Sequence, residues 1–293
     1  MPGALISLTR SNPLRRRCAA AYGAGHGLDE AIDICRRLVE QDLACTLGYG
    51  ATPRQDARAV ADAHLAAFER LSAEGLDGQV SVKLSALHFD GALLAELDAA
   101  AARSGRPLHV DALAPETVPA TWRLVEGAPR SGRLGITLPG RWARSAGDAS
   151  LARRLGLRVR IVKGQWAAGG AAGAIDPTHG FLQVVDRLRG HTEVVGVATH
   201  DIDLLAGSLD RLTASGTPCA AELFFGLPFC AQLLTARRYE VPIRVYVPYG
   251  DWGSPYGLAH LATRPVAGWW LLQDLLLGKD KTWRSIRRSQ RHV

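Results

Sequence analysis

Short runs of β-branched and apolar residues recur along the chain, separated by longer stretches whose apolar positions repeat every three to four residues. Eight such runs occur: LACTLG (43–48), VSVKL (80–84), LHVDA (108–112), LGITL (134–138), LRVRIV (157–162), VVGVA (194–198), CAAEL (219–223) and IRVYV (243–247). Their composition predicts strands, and the intervening periodicity predicts helices, so the chain reads as repeated βα units. In the segment 57–75, Val60, Ala61, Leu65, Phe68 and Leu71 trace one helical face and Gly75 supplies a stop. Thr52, Pro53 and Gln55 are the expected cap, first-turn proline and capping-box partner of that helix.

Eight parallel strands, each followed by a helix, predict an α/β fold of the (βα)8, TIM-like barrel class. The expected organisation is a helical extension over 1–42 with a helix in LDEAIDICRRLVEQ (28–41), a barrel over 43–278, and a basic tail over 279–293. A dinucleotide-binding turn in LGYGATP (47–53) is the competing reading. Pro53 stands at the third glycine position there, and the number of strands favours the barrel.

In such a barrel the C-terminal strand ends converge on one mouth. Those ends are Tyr49, Lys83, Asp111, Pro139, Arg160, Lys163, His200, Glu222 and Tyr246. Lys83 sits in apolar sequence, which predicts burial with a partner, and Asp111 is the natural one. His109 shares the face of Asp111. Arg158 and Arg160 share one strand face opposite Val159 and Ile161, so arginine is expected inside the barrel, where it needs a counter-charge or a ligand. Gly164 either lets a backbone approach a ligand or makes the turn. In VATHD (197–201), a functional His200 and a plain helix cap by Thr199 or Asp201 carry equal weight. A metal-dependent hydrolase would need more ligands than His109, Asp111 and His200, and neither HxH nor HExxH occurs; no metal is expected.

Composition narrows the remaining classes. Of 293 residues, 47% are hydrophobic and 22% charged, enough for a substantial core. The five cysteines are scattered, which fits a reducing, cytoplasmic setting. The net charge of +7 (35 basic minus 28 acidic residues) is concentrated at Arg15–Arg17 and in the tail, read as a solvated, solubilising segment. Aromatic and basic residues are not interleaved as nucleic-acid binding would require. VAGWWLLQDLLLGK (266–279) is read as the buried face of the last barrel helix in preference to a peripheral membrane contact. A Gly-x-Ser-x-Gly nucleophile motif is absent.

VSVKLSALH (80–88), RVRIVKGQW (158–166) and YVPYGDWGSPYGLAHLATRP (246–265), with VATHD as a weaker fourth block, occur in the order found in the proline dehydrogenases. The chain resembles the short monofunctional bacterial members of that family over most of its length. The resemblance implies a distorted (βα)8 barrel that holds FAD and passes a hydride from the carbon beside an amine nitrogen to flavin N5, with a quinone or other electron acceptor downstream. Position by position, it makes Lys83, Asp111 and Arg160 catalytic and gives Tyr246, Tyr256, His260 and Trp166 to a small-molecule amine substrate. Arg160, Val162, Lys163, Gly164, His200 and Glu222 go to the cofactor.

The chain also departs from the family. Ala259 and His260 stand where two adjacent arginines clamp the substrate carboxylate, and Thr263 replaces a glutamate. Trp166-Ala167 replaces a tyrosine-tryptophan pair, Pro139 replaces a flavin-contacting glutamine, and an acid near Tyr49 is missing. Loss of two guanidinium contacts removes charge-assisted hydrogen bonds. The leading expectation is therefore a flavoenzyme for a small secondary amine, imino acid or hydrazine-like compound. Ordinary L-proline oxidation stands second and a non-redox metabolite-binding barrel third.

Overall fold

The computed structural model describes residues 24–52, 54–112, 114–131, 133–165, 173–251 and 280–290. All eight predicted runs form strands: β1 (Ala44–Gly50), β2 (Gly78–Val82), β3 (Leu108–Val110), β4 (Leu134–Pro139), β5 (Arg158–Val162), β6 (Val195–Ala198), β7 (Cys219–Phe224) and β8 (Ile243–Gly250). They pair in parallel, in sequence order, and β8 closes on β1 from Ala44↔Arg244 to Gly50↔Gly250. The fold is the closed (βα)8 barrel that the βα repeat predicts.

Helices alternate with the strands: α1 (Leu28–Val39), α2 (Ala57–Ala73), α3 (Gly91–Ser104), α4 (Val118–Gly127), α5 (Ser145–Arg154), α6 (Pro177–Leu188), α7 (Ile202–Ala214), α8 (Cys230–Arg238) and α9 (Asp280–Gln290). The period of two along each strand separates two environments. Val80, Val82, Ile136, Leu138, Val159, Ile161, Val195, Val197, Val245 and Val247 are buried against the helices and form the main core. The alternate positions face the interior and include polar pairs among small residues: Gln79 donates to Thr46 at 3.0 Å, and His109 Nε2 meets Thr137 Oγ1 at 3.0 Å.

Aspartates start several helices. Asp56, rather than the expected Thr52, caps α2 by accepting from the amides of Arg58 and Ala59, and Gln55 instead hydrogen-bonds Tyr49 Oη. Gly75 follows α2 at φ +64°, as the stop signal requires. Helix α1 lies against β8 and β1, with Ile32, Cys35 and Leu38 fully buried.

Residues 280–290 differ from the solvated tail expected of them, because they form helix α9 packed on α8. Its Thr282 and Ser285 hydroxyls accept from the amides of Gly226 and Phe229 in the loop after β7. Trp283 packs edge-on to Phe225, and Arg37 of α1 lies 3.7 Å from its ring centroid. The period of this helix puts Trp283, Ile286 and small hydroxyl residues inside while Arg284, Arg287 and Arg288 stay out, so the basic composition hid a half-apolar face. Among the described residues no helix is long and apolar enough to cross a membrane.

Candidate active site

Arg160, in the middle of β5, organises the upper interior of the barrel. Its side chain is 4% exposed. Nε donates to Glu222 of β7 at 2.5 Å, and Nη1 donates to Asp111, just after β3, at 2.8 Å and to Ser81 of β2 at 3.2 Å. Burial opposes the guanidinium charge, but the carboxylates of Glu222 and Asp111 outweigh it and hold the pKa above its ordinary value.

Asp111 accepts three hydrogen bonds, from Arg160, from Ser81 Oγ at 2.8 Å and from Tyr246 Oη at 2.9 Å. Tyr246 is stacked on Phe224 with centroids 5.5 Å apart, and the Arg160 guanidinium carbon lies 5.4 Å from its ring centroid. Burial and the neighbouring Asp111 charge push the Tyr246 phenol well above its ordinary pKa, so it stays a donor. Two glycines make room for this layer. A Cβ on Gly48 would fall 2.1 Å from Tyr246 Oη, and one on Gly196 would fall 2.2 Å from Glu222 Oε1.

Lys83 follows β2 at the same end of the barrel. Burial is the main influence lowering its pKa, the Arg160 charge lowers it further, and Asp111 opposes both. Lys83, Arg160, Asp111 and Glu222 thus place two basic and two acidic groups in one partly enclosed space.

Other expected positions have different surroundings. Lys163 pairs with Asp201 at 2.8 Å, both about 40% exposed, where screening leaves little energy. Gly164 is at φ +84°, and a Cβ there would meet Pro139 and Arg141, so the turn itself accounts for glycine. The carbonyls of Val162 and Lys163 accept from the amides of Gly140 and Arg141. His200 Nε2 accepts from the Phe224 amide at 3.2 Å, and burial brings its pKa down to about 4, so the ring is neutral at pH 7. Asp201 caps α7 beside it. Trp166, Tyr256 and His260, with Ala167 and Ala259, lie outside the described residues.

Ser81 was not singled out by sequence reasoning, although its position two residues before Lys83 gives it the same strand face. A serine among valines in a strand was the available signal.

The described residues therefore hold a charge-balanced, hydrogen-bonded cluster at the C-terminal mouth of a (βα)8 barrel, which is where enzymes of this fold carry their chemistry. No protein-family model matches the chain. The chain is 25% identical over 276 residues to proline dehydrogenase 1 of Bacillus subtilis strain 168 and, equally, of Bacillus subtilis subsp. natto, covering 88% of this chain and 90% of each relative. Among solved structures it superposes on proline utilization A of Bdellovibrio bacteriovorus inactivated by N-propargylglycine, with TM-score 0.70, 15% identity and 88% of this chain covered. Proline utilization A of Corynebacterium freiburgense gives TM-score 0.69 at 15% identity over 96% of this chain. The chain spans only 32% and 34% of those two longer proteins. Together with the resemblance in its sequence blocks, the chain is thus similar over most of its length to the Bacillus proline dehydrogenases.

Proposed function

We propose that the chain is an FAD-dependent dehydrogenase that oxidises L-proline. The observation that carries this reading is the Arg160–Asp111–Glu222–Tyr246–Lys83 cluster at the barrel mouth, in a chain related over most of its length to two enzymes named proline dehydrogenase. These relatives favour proline over the altered amine expected from Ala259 and His260.

The fit to a flavin rests on Arg160. Its Nη2 is buried and finds no hydrogen-bond partner among the described residues, although Nε and Nη1 are both engaged. A guanidinium held in place by two carboxylates, with one nitrogen left over, suits an electron-rich acceptor group such as the flavin ring. When bound, FAD supplies a hydride acceptor for oxidation of the carbon beside nitrogen.

Arg160 stabilises the negative charge that arises on the cofactor, and Glu222 holds its guanidinium in place. Lys83 and Asp111 orient the substrate nitrogen and set its protonation, since hydride departure needs a neutral amine. Tyr246, fixed by Asp111 and Phe224, forms a wall of the pocket. Trp166, Tyr256 and His260 complete the proposed substrate pocket, and Val162, Lys163, Gly164 and His200 line the cofactor. We place the enzyme in the cytoplasm, passing electrons to a quinone or other acceptor, with the catalytic barrel over 43–278.

The test is the visible spectrum of the purified, FAD-loaded protein under anaerobic conditions, before and after L-proline. Bleaching of the flavin bands by proline is the expected result. Bands that persist with proline but bleach with another secondary amine would move the substrate to the altered class suggested by Ala259 and His260. A protein that stays colourless in excess FAD would overturn the reading.

A further inference from the structure

A second cluster of cations lies lower in the barrel, on the side away from the mouth. Arg158 precedes Arg160 by two residues and shares its inward face, level with Gly135 of β4. Arg244 of β8 shares the inward face of Tyr246, level with Ala44 of β1, and its side chain is 12% exposed. Arg244 is held by Cys45 O at 2.6 Å and by Asp77 at 3.2 Å, and Asp77 is itself 69% exposed. Arg158 is partly buried, yet it makes no hydrogen bond or ion pair among the described residues. Burial, followed by the Arg244 charge, lowers its pKa, with Glu222 and Glu193 opposing.

Small residues neighbour the two arginines in the sheet: Gly135 is level with Arg158 and Ala44 with Arg244, whose other neighbour in register is Glu222. A Cβ on Gly135 would lie 2.4 Å from His109 Nδ1 and 3.2 Å from Arg158 Cβ, so the imidazole and the arginine border the same space. His109 Nε2 is occupied by Thr137, and burial together with Arg160, Arg158 and Arg244 keeps the ring neutral, leaving Nδ1 to face Gly135. Arg158 makes no ion pair among the described residues, although Glu222, level with Arg244 in the sheet, and Glu193 act on it from further off. A partly desolvated, unpaired guanidinium costs free energy that a bound anion would recover, and its planar fork matches an oxyanion.

We propose that Arg158 and Arg244, with His109 beside them, form a binding site for a compact oxyanion at the base of the barrel, separate from the catalytic mouth. The ligand class is a phosphate or a small carboxylate, both of which present oxygens to the guanidinium fork. The site sits on the face of the fold associated with stability, so its occupancy strengthens the barrel without entering the reaction.

The test uses the full-length, FAD-loaded protein in thermal melts at constant ionic strength, with chloride replaced by inorganic phosphate or, in a second series, by malonate. A saturable rise in Tm is expected, on the order of 5 °C at one hundred times the dissociation constant. Saturation by phosphate alone assigns a phosphate ligand, and saturation by malonate alone assigns a carboxylate; either supports the site. Arg158→Gln should lose the rise while turnover is kept. Should that variant fail to fold, Arg158→Lys, which keeps the charge but loses the fork, should bind roughly tenfold more weakly by line broadening of the anion's nuclear resonance. No saturable rise with either anion, or an equal rise in Arg158→Gln, overturns the proposal.

Discussion

Replacing Arg160 by Met removes a side chain that ties β5 to Glu222 of β7, Ser81 of β2 and Asp111 after β3. Asp111 keeps its bonds from Ser81 and Tyr246, but Glu222, 10% exposed, loses the Arg160 Nε donor at 2.5 Å. Breaking a buried ion pair from one side costs about 3–5 kcal/mol, because the remaining charge is stranded in a poorly solvated place. At about 2–4 °C per kcal/mol for a domain approaching this size, Arg160→Met should melt on the order of 10 °C below the parent protein. Urea unfolding of both proteins with FAD measures the deficit. A deficit under 1 kcal/mol would refute the account of Glu222 as a carboxylate dependent on Arg160.

Ser81→Ala removes the hydroxyl between Asp111 and Arg160 and should lower kcat/KM roughly tenfold with a stability loss of about 1 kcal/mol, measured by steady-state turnover and unfolding. Gly48→Ala drives a methyl into Tyr246 Oη and should cost about 1–3 kcal/mol while displacing the phenol from Asp111; a crystal structure with Tyr246 unmoved would contradict it. His64 and His200 are buried with pKa values brought down to about 3 and about 4. Their unfolded values lie higher, so burying them neutral costs no stability above about pH 6.5 and costs progressively more as pH falls from there toward the folded values, about 2 kcal/mol each by pH 5. Urea unfolding of the parent at pH 7 and pH 5 should show that loss, and His200→Gln should reduce it.

The barrel was legible because its strands carry two codes at once. In RVRIV the first and third positions are cationic and the second and fourth apolar, and a period of two sends each set to a different environment, so the sequence alone places Arg160 inside. Asp111 and Tyr246 followed from the same rule, since strand ends of a barrel share a mouth. What the linear pattern lacks is distance between strands. It could not show that Ser81 bridges Asp111 and Arg160, that Glu222 takes the Arg160 Nε, or that Asp201 takes Lys163 while His200 turns to the Phe224 amide. The cap of α2 was missed for a local reason. Thr52, Pro53 and Gln55 and the actual cap Asp56 all lie within five residues, and only backbone geometry at Asp56, with φ −61° and ψ 135°, decides between them.

The polar interior explains why one barrel can hold both the Arg160 layer at its mouth and a lower basic layer. Because stability comes from the outer faces of the strands packed on the helices, the inward positions are released from the need to be apolar. Each buried polar group must then find a partner, and most do: Gln79 with Thr46, His109 with Thr137, Asp111 with three donors. Not all do: Arg160 Nη2 and His64 Nδ1 are buried without a hydrogen-bond partner among the described residues, and the Arg158 guanidinium, a step below Arg160, makes no hydrogen bond or ion pair there. The two arginines stand where a ligand would complete the hydrogen bonding, the proposed flavin at the first and the proposed anion at the second.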